Sequence, residues 1–394
     1  MNDGHTDITN QSNVKWYVTH SYLKNVGNVV LQDTMYADYN DSIIMDSINA
    51  ICKSGIRAKY VDGKYYNART FTYQGTLVRA GEEISEIDGI EINSFIQANY
   101  DQMFYLKWDP NNKMWYSDFF QLAMPLLKQS VFTLKIGGRD VIINSLETVD
   151  NLEREKYQTS SSPKVMLLYD DMLYIYMPMM MNTQWYVDEI KKIYHAGVKK
   201  IILDVRGNAG GDDSVMAGIL SALIDKPLTY RYLVGMNYNE ALKEAISQFG
   251  TVEINDNEMT LFRERIIKPD STSVNFEGRI YVFQNKTTFS AASALTSVAM
   301  QDKNRFTVVG EKSSFISGYT FPAVLLKLKN SGIVFGLAFS KDLTGGEQNK
   351  FMDTVDIEIQ EDINDYLDML FKYDAHSIEY LRQYDKFVKI VYAL

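Results

Sequence analysis

Short apolar segments alternate with amphipathic ones between residues 172 and 310. The apolar segments have the length of strands, and the others carry apolar residues at helical spacing. Strands are predicted at 172–178, 199–205, 279–285 and 305–310, and helices at 185–198, 213–224 and 290–301. Strands separated by helices in this way predict an α/β fold with a mostly parallel sheet and helices on its faces.

Two strand-to-helix junctions carry residues suited to chemistry, because loops at such junctions are exposed and helix N-termini offer unpaired N–H donors. The first reads DVRGNAGG at 204–211. Its glycines, Gly210 and Gly211, let backbone N–H groups face a bound carbonyl without side-chain obstruction. Asp204, Arg206 and Asn208 are expected to shape this loop. The junction is therefore a candidate oxyanion hole.

The second junction reads NKTTFSAASAL at 285–295 and places Ser290 at the start of a predicted helix. A hydroxyl there would be exposed, with the N–H of Ala291 available as an oxyanion donor. Serine is also among the best helix N-caps, so Ser290 taken alone is more simply a cap. Its interpretation as a nucleophile depends on the rest of the chain.

A β-rich unit precedes the alternating region. GTLVRAGEEISEIDGIEI at 75–92 has a turn at Asp88–Gly89, and FTLKIGGRDVIINSLE at 132–147 has one at Gly137–Gly138. The first segment resembles the "pGDeIlsInG" centre of a PDZ domain. PDZ-like modules bind extended peptide ends by adding a strand to a sheet edge, so the resemblance implies a polypeptide ligand.

The same resemblance implies that Gly81 and Ile84 contact the bound peptide. The alternative is an ordinary β-hairpin, since such hairpins carry similar turns. The segment 93–131 between the two β segments is rich in aromatic residues and longer than a minimal PDZ core needs. The polar segment 151–165, with three consecutive serines, is predicted to be a linker.

Composition excludes several other classes of protein. The chain has 394 residues, 46% of them hydrophobic, and a net charge of −10 without a basic cluster, so nucleic acid is not an expected partner. Cys52 is the single cysteine and cannot form an internal disulfide, and no His/Cys spacing implies a metal. No apolar run is long enough for a membrane-spanning helix. No cofactor is expected.

Taken together, these motifs show a specific resemblance to one family. DVRGNAGG is similar to the "DlRgNpGG" signature of the C-terminal processing (tail-specific) peptidases, and TTFSAAS is similar to their "taSAsE" nucleophile block. VVGEKSSFISG at 308–318 resembles their "vvGekTfGkg" segment. The resemblance covers roughly residues 56–360 and extends to the tricorn core. It implies a ClpP/crotonase-like βα core, with the PDZ-like domain inserted in it or preceding it, and Ser290 as nucleophile.

The general base is less directly indicated. The processing peptidases carry a lysine at the position of Ile316, so the expected Ser/Lys dyad is absent here; Lys312 lies nearby, at a variable position. The tricorn-like branch uses a histidine supported by a glutamate. MNDGHTDI resembles its "l.DgHt" motif and implies His5 as the base, and LTGGEQNKF resembles its "EGxGxxPD" region and implies Glu347 as the orienting carboxylate. Asp356 would be the closing aspartate, although the proline and the usual spacing are missing.

A histidine this close to a chain end would ordinarily be solvated and without a role. The other three histidines are His20, His195 and His376, and none lies in a family motif. Residues 1–14 carry no secretory signal, whereas the family's "DgHt" motif follows a helical segment and often an export signal. An N-terminally truncated form is therefore expected, extracytoplasmic if a signal is missing and cytoplasmic otherwise.

These observations predict three parts: 1–55 with the DGHT motif, a PDZ-like domain at 56–150, and a serine peptidase core with a helical tail at 151–394. The expected activity is cleavage of unfolded or C-terminally exposed polypeptides. The main alternative is a catalytically inactive peptide- or ligand-binding protein on the same scaffold, favoured by the missing lysine and by Ser293 where the family prefers glutamate. An ester-cleaving α/β hydrolase is a third possibility, but no G-x-S-x-G motif surrounds Ser290. Oligomeric state is not indicated.

Overall fold

Two packed units make up the part of the chain that the structure describes, a β-rich unit in 56–152 and a βα core that begins at 162. The computed structural model describes residues 7–8, 56–100, 107–117, 131–144, 147–152, 162–313, 320–321, 324–327, 334–346 and 354–394. The predicted combination of a βα core with a preceding β-rich unit is confirmed.

Short strands build the β-rich unit, which contains every strand up to residue 151 except the first, a strand that joins a sheet of the core unit. The strands up to residue 151 are β1 (Asp7–Ile8), β2 (Ala58–Val61), β3 (Lys64–Asn67), β4 (Phe71–Tyr73), β5 (Thr76–Val78), β6 (Glu83–Ile87), β7 (Ile90–Glu91), β8 (Lys107–Asp109), β9 (Met114–Tyr116), β10 (Val131–Ile136), β11 (Arg139–Asn144) and β12 (Asp150–Asn151). Helix α1 (Ile92–Ala98) follows β7. The main sheet has the order β11-β10-β6-β3-β2, β12-β4-β5 form a second sheet, and β8 pairs with β9.

Both hairpin turns predicted in this unit are confirmed. Asp88 and Gly89, between β6 and β7, have φ of 51° and 77°, and Gly137 and Gly138, between β10 and β11, have φ of 56° and 76°. Two successive residues of positive φ give the turn a twist that matches the strands it joins, and glycine and aspartate tolerate this conformation best. The residue types at these two turns therefore favour the antiparallel pairing of β6 with β7 and of β10 with β11.

One hydrophobic cluster holds the β-rich unit together. Its members come from residues 58–149, and Tyr65, Phe71, Ile87 and Ile143 have no exposed surface. Since every sheet of the unit except the β8–β9 hairpin contributes to the cluster through more than one strand, the unit has its own core.

The core unit is built on a central sheet. Its strands are β13 (Lys164–Tyr169), β14 (Met172–Tyr176), β15 (Lys200–Asp204), β16 (Leu228–Asn237), β17 (Thr251–Asn255), β18 (Glu258–Ile267), β19 (Arg279–Gln284), β20 (Phe306–Gly310), β21 (Val324–Lys327), β22 (Val334–Leu337), β23 (Ser340–Asp342) and β24 (Ile357–Glu358). Its helices are α2 (Thr183–Ile193), α3 (Asp213–Leu223), α4 (Glu240–Ile246), α5 (Ala291–Gln301), α6 (Ile363–Phe371), α7 (Ile378–Gln383) and α8 (Lys386–Ala393). A 3₁₀ turn follows α4.

The central sheet has the order β13-β14-β15-β19-β20-β24, and all neighbours from β14 onward are parallel. Its strands β14, β15, β19 and β20 agree with the four predicted strands to within two residues at each end. β13 pairs antiparallel with β14, and it begins inside the segment predicted to be a linker. The predicted parallel sheet is confirmed.

Helices cover both faces of this sheet. α2, α3 and α5 pack on one face, where Leu173 and Ile175 of β14 point. α7 and α8 of the tail pack on the other, where Tyr174 and Tyr176 point. Because side chains alternate along a strand, a strand buried on both faces is expected to be largely apolar, and this accounts for the uninterrupted apolar run of β14.

Two further sheets belong to the core unit. β16, β17, β18 and β23 form an antiparallel sheet in the order β17-β18-β16-β23, and β1 joins the β21–β22 hairpin by pairing with β22. The strand–helix alternation did not predict either. Within the described residues, none of the helices has the length and apolarity to cross a lipid bilayer.

A buried histidine lies between the tail and the sheet. The His376 ring stacks on Tyr176 at 3.6 Å between ring centroids, and its Nδ1 lies 3.1 Å from the Tyr174 hydroxyl. That hydroxyl donates to Asp204 Oδ2 at 2.7 Å, so Nδ1 carries the hydrogen and donates to the tyrosine oxygen. Burial lowers the pKa of His376 to about 4, from an ordinary value of 6.5.

This shift predicts a specific loss of stability in acid. Between pH 6.5 and about 4 the unfolded chain binds a proton at residue 376 that the folded protein does not, so the free energy of unfolding falls as pH falls. The loss attributable to this histidine approaches about 3 kcal/mol at the acid end. Denaturant unfolding of the wild type and His376→Gln at pH 7 and pH 4.5 measures it: the variant should lose less stability. His195→Gln, on an exposed histidine, is the control and should behave as wild type. Equal pH dependence of the wild type and His376→Gln would contradict the prediction.

Candidate functional site

The two predicted junctions meet at the carboxyl ends of two inner strands of the central sheet. β15 and β19 are parallel neighbours, so the loops that follow Asp204 and Gln284 leave the sheet side by side. A Cβ added to Gly210 would lie 2.6 Å from the Cβ of Ser290, which shows that the two backbones are in contact. The structure therefore brings the candidate nucleophile and the glycine loop together.

Ser290 has an unusual backbone conformation, with φ of 55° and ψ of −124°. A helix N-cap normally has an extended backbone and a side chain that accepts a hydrogen bond from the first turn. Ser290 has neither feature, since its side chain makes no capping bond to α5. Ser290 thus lies at the N-cap position of α5 but does not form the side-chain cap that the alternative predicts. A strained serine on a sharp strand-to-helix turn has the arrangement of an exposed nucleophile.

Hydrogen bonds connect the turn before Ser290 to the glycine loop. Asn285 Oδ1 accepts from Gly207 N at 3.0 Å, and Thr288 Oγ1 donates to Val205 O at 2.9 Å. Thr288 is fully buried. These bonds fix one loop against the other, which a strained turn needs in order to keep its conformation.

Asn208 has a central role in the glycine loop, as the sequence led us to expect. Its side chain is fully buried; Nδ2 donates to Met177 O and Oδ1 accepts from Gly210 N, both at 2.7 Å. Its backbone oxygen accepts from Phe289 N at 2.9 Å. Because the bond to Asn208 occupies the N–H of Gly210, Gly211 is the glycine whose N–H remains to bind an oxyanion.

The N–H groups of Gly211 and Ala291 make no hydrogen bond to any acceptor in the described part of the chain. Gly211 has φ of 137°, and a Cβ there would lie 2.4 Å from Met180 O, so the position requires glycine. Ala291 is the first residue of α5, where the N–H points out of the helix end. Both N–H groups are suited to donate hydrogen bonds to a negatively charged oxygen.

A buried ion cluster lies behind the glycine loop. Arg206 binds Asp204 through Nε and NH2, the shorter distance being 2.6 Å, and its NH2 also donates to Asp385 Oδ2 at 2.8 Å. Burial alone would raise the pKa of Asp204, but the Arg206 charge and its hydrogen bonds hold that pKa below the ordinary value. The carboxylate is therefore ionised. Asp385 was not among the residues that the sequence singled out.

The turn before Ser290 also contacts the β-rich unit. Lys286 Nζ lies 3.8 Å from Asp109 Oδ2 and from Glu311 Oε1, over the ring of Tyr60. Lys312 Nζ donates to Asn111 Oδ1 at 2.8 Å. The structure thus places the side chain of Lys312 against the turn between β8 and β9, where Asn111 lies.

A cavity lies between the two units, beside the turn that precedes Ser290. Burial, and then the neighbouring charge of Glu311, raise the pKa of Glu361 to about 7, and burial also raises the pKa of Glu311. The cavity is lined by Lys59, Tyr60, Val61, Tyr116, Asn285, Lys286, Thr287, Glu311, Glu361, Asp362 and Tyr366. Its polar lining comes from segments distant in sequence, which is why no motif indicated it.

The remaining predicted site residues do not lie at the two junctions in the described part of the chain. His5, Glu347 and Ile316 lie outside the described residues; β1 begins two positions after His5 and pairs with β22 of the core unit. Asp356 accepts hydrogen bonds from Lys303 at 2.6 Å and from the backbone N–H of Val308, in the middle of β20. It therefore fixes the chain that leads into β24 against β20. No cluster of metal-binding side chains occurs among the described residues.

The two predicted peptide contacts of the β-rich unit find little support. Ile84 is 2% exposed, and β6, on which it lies, pairs with β10 on one side and β3 on the other. A peptide can add only to a strand with a free edge, so the assignment of Ile84 to peptide binding is not supported. Gly81 lies against the core: a Cβ there would be 3.3 Å from Leu367 Cδ1 of α6.

Comparison with known proteins gives a match to one family model within the core unit. Residues 171–364 match the model of peptidase family S41. The crystal structure of mature CPAF is 14% identical, covers 83% of this chain and 81% of its own, and has a TM-score of 0.53. Mature CPAF complexed with lactacystin is 15% identical over 80% of this chain and 81% of its own, with a TM-score of 0.51. At these identities the likeness is one of fold. The comparison with curated proteins returns no match.

The contact between Gly210 and Ser290 predicts the effect of one methyl group. Gly210→Ala should slow the reaction of Ser290 with a fluorophosphonate by about 100-fold, because the new Cβ would displace the serine. Gly207→Ala is the matched control: Gly207 also has positive φ, at 75°, but its Cβ would meet no atom within 4 Å. Both variants place a Cβ at a positive φ, where L residues are strained, and only the Cβ at position 210 also meets the serine. Equal labelling rates in the two variants would contradict the prediction.

Proposed function

Since residues 171–364 of this chain match the model of peptidase family S41, we propose that the protein is a serine endopeptidase that cleaves unfolded or C-terminally exposed polypeptides through an acyl-enzyme. The observation that carries the proposal is the backbone of Ser290, held at φ 55° and ψ −124° against Gly210. Strain of this kind persists only where the surroundings enforce it, and it is concentrated at functional sites.

In the proposed first step, Ser290 Oγ attacks the scissile carbonyl carbon and gives its proton to a base. The C–N bond then breaks, and the leaving amine takes that proton. Water hydrolyses the resulting ester and restores the serine. The N–H groups of Ala291 and Gly211 stabilise the oxyanion in both halves of the reaction; each such donor is worth about 10²–10³ in rate.

The proposed base is His5, oriented by Glu347, as the tricorn-like resemblance implies. A histidine can take a proton from serine near neutral pH and return it to the amine. The pairing of β1 with β22 supports the assignment, because it attaches the segment just after His5 to the core unit. The contacts of Lys286 with Asp109 and of Lys312 with Asn111 argue against a lysine base.

The β-rich unit is proposed to capture the polypeptide. The outer strands of its main sheet are β2 and β11, and an extended peptide would add to one of them, as PDZ-like modules do. The site at Gly81 and Ile84 that the resemblance implied is not retained, because Ile84 is buried. Capture at an edge strand requires little sequence specificity, since main-chain hydrogen bonds supply the affinity.

The second candidate is a catalytically inactive binding protein on the same scaffold. The isoleucine at position 316, where the processing peptidases carry their lysine, favours it. The two candidates differ in one measurable property, the reactivity of the Ser290 hydroxyl.

The proposal predicts that a fluorophosphonate probe labels the wild type at Ser290. Ser290→Ala should abolish labelling, and His5→Ala should reduce it by about 10²-fold or more, because general base catalysis typically contributes that much. Intact-mass analysis and mapping of the modified peptide measure the result.

Two control variants match these changes. Ser297→Ala removes a buried hydroxyl two turns further along α5, and His195→Ala removes an exposed histidine; both should label at the wild-type rate. A wild type that does not react would favour the binding protein. Labelling that survives His5→Ala would leave Ser290 as nucleophile and exclude His5 as base.

A further inference from the structure

The C-terminal tail reaches the glycine loop through one buried carboxylate. We propose that Asp385, the first residue before α8, is a positioning residue that fixes the 204–211 loop and with it the oxyanion donor Gly211. The proposal rests on the proposed peptidase function for its catalytic consequence, but the contact it invokes is present in the structure whether or not the protein is a peptidase.

Asp385 is held so that one oxygen faces the loop. It is 3% exposed, and its Oδ1 accepts from Phe387 N at 2.8 Å and Val388 N at 2.9 Å, which caps α8. Its Oδ2 accepts from Arg206 NH2 at 2.8 Å. Because α8 fixes Oδ1, the direction of Oδ2 is set by the position of the helix. The helix thereby determines where the guanidinium lies.

Arg206 has no freedom to adopt another position. Its guanidinium lies 4.4 Å from the centroid of the Phe387 ring and 5.2 Å from that of Phe283, and it binds Asp204 through two nitrogens. A planar guanidinium paired with carboxylates and flanked by aromatic rings is fixed in both orientation and distance. Arg206 is therefore a rigid connection between the tail and the end of β15.

Several other hydrogen bonds also hold the loop. Gly207 N donates to Asn285, Asn208 makes the bonds described above, and Gly210 O accepts from Met180 N. Four residues lie between Arg206 and Gly211, and three of the loop's residues are glycines with positive φ, which impose little restraint of their own. The anchor at Arg206 thus determines where the loop starts and contributes to where Gly211 ends.

A helix cap alone does not explain the carboxylate. Asparagine and serine cap helices about as well as aspartate, so an N-cap at 385 needs no negative charge. The charge is required by Arg206, whose guanidinium would otherwise have Asp204 as its sole carboxylate partner among the described residues. This difference separates a cap from a positioning residue in an experiment.

The test uses Asp385→Asn and Asp385→Ser, which keep a capping oxygen and remove the charge that binds Arg206. Asp362→Asn is the matched control: Asp362 caps α6 in the same tail and makes no contact with Arg206. Hydrogen exchange of the 204–211 amides is measured first, because it needs no activity. Exchange should become about tenfold faster in both Asp385 variants and stay at the wild-type rate in the control.

Activity is the second readout. Fluorophosphonate labelling and kcat on an unfolded protein substrate should fall by about 10- to 100-fold with KM unchanged, since a misplaced oxyanion donor affects the transition state alone. A structural defect would lower the folded fraction, and the remaining folded protein would keep its kcat. If the wild type is unreactive, the proposed function fails, and the exchange rates still decide this inference.

Unchanged exchange in the 204–211 loop of both Asp385 variants overturns the proposal. If neither variant folds, Phe387→Leu removes the ring that covers the guanidinium and leaves both carboxylates in place. The same loop should then exchange faster than in the wild type, and wild-type exchange in that variant would likewise overturn the proposal.

Discussion

The parallel pairing of β15 with β19 is the interaction on which the site depends. Its register sets Asp204 opposite Phe283, so that both chains leave the sheet at the same level. Only this register allows Phe289 N to reach Asn208 O and Thr288 to reach Val205. Both faces of the sheet are buried, and a shift of one strand by one residue would exchange its side chains between the two hydrophobic clusters, so packing on both faces also specifies the geometry of the two loops.

The strained backbone of Ser290 packs directly against Gly210, and this contact leaves no space for a side chain at position 210. A non-glycine residue at φ 55° and ψ −124° costs about 1–3 kcal/mol, which the surroundings must offset. Helix α5 supplies part of this, since its residues from Ala291 to Ala299 are all buried and draw the chain inward immediately after the serine. The backbone of Gly210 fills the space on the other side. The strained conformation is thus enforced by contacts on both sides of the turn.

Much of this arrangement could be predicted from local sequence, because its causes are local. Strand and helix periodicity gave the central sheet, and Asp–Gly and Gly–Gly pairs gave the hairpins. The β16–β18 sheet was not predicted, although β16 alternates buried Leu228, Tyr230 and Tyr232 with exposed residues. The bond between Arg206 and Asp385 joins positions 179 residues apart, and no spacing rule reveals such a pair. His5 and Glu347 were assigned by resemblance alone and stay predictions.

The segments on both sides of the nucleophile are bound to the β-rich unit. Lys286, four residues before Ser290, contacts Asp109, and Lys312, just after β20, contacts Asn111. These lysines point to one hairpin, β8–β9, whose carboxylate Asp109 is fully buried and also accepts from the Tyr60 hydroxyl. The Lys286 contact joins a largely buried ammonium group to this buried carboxylate, whereas the bond from Lys312 lies at the surface. The β-rich unit therefore cannot move away from the core without disturbing the turn that holds Ser290, and its position is part of the geometry of the site.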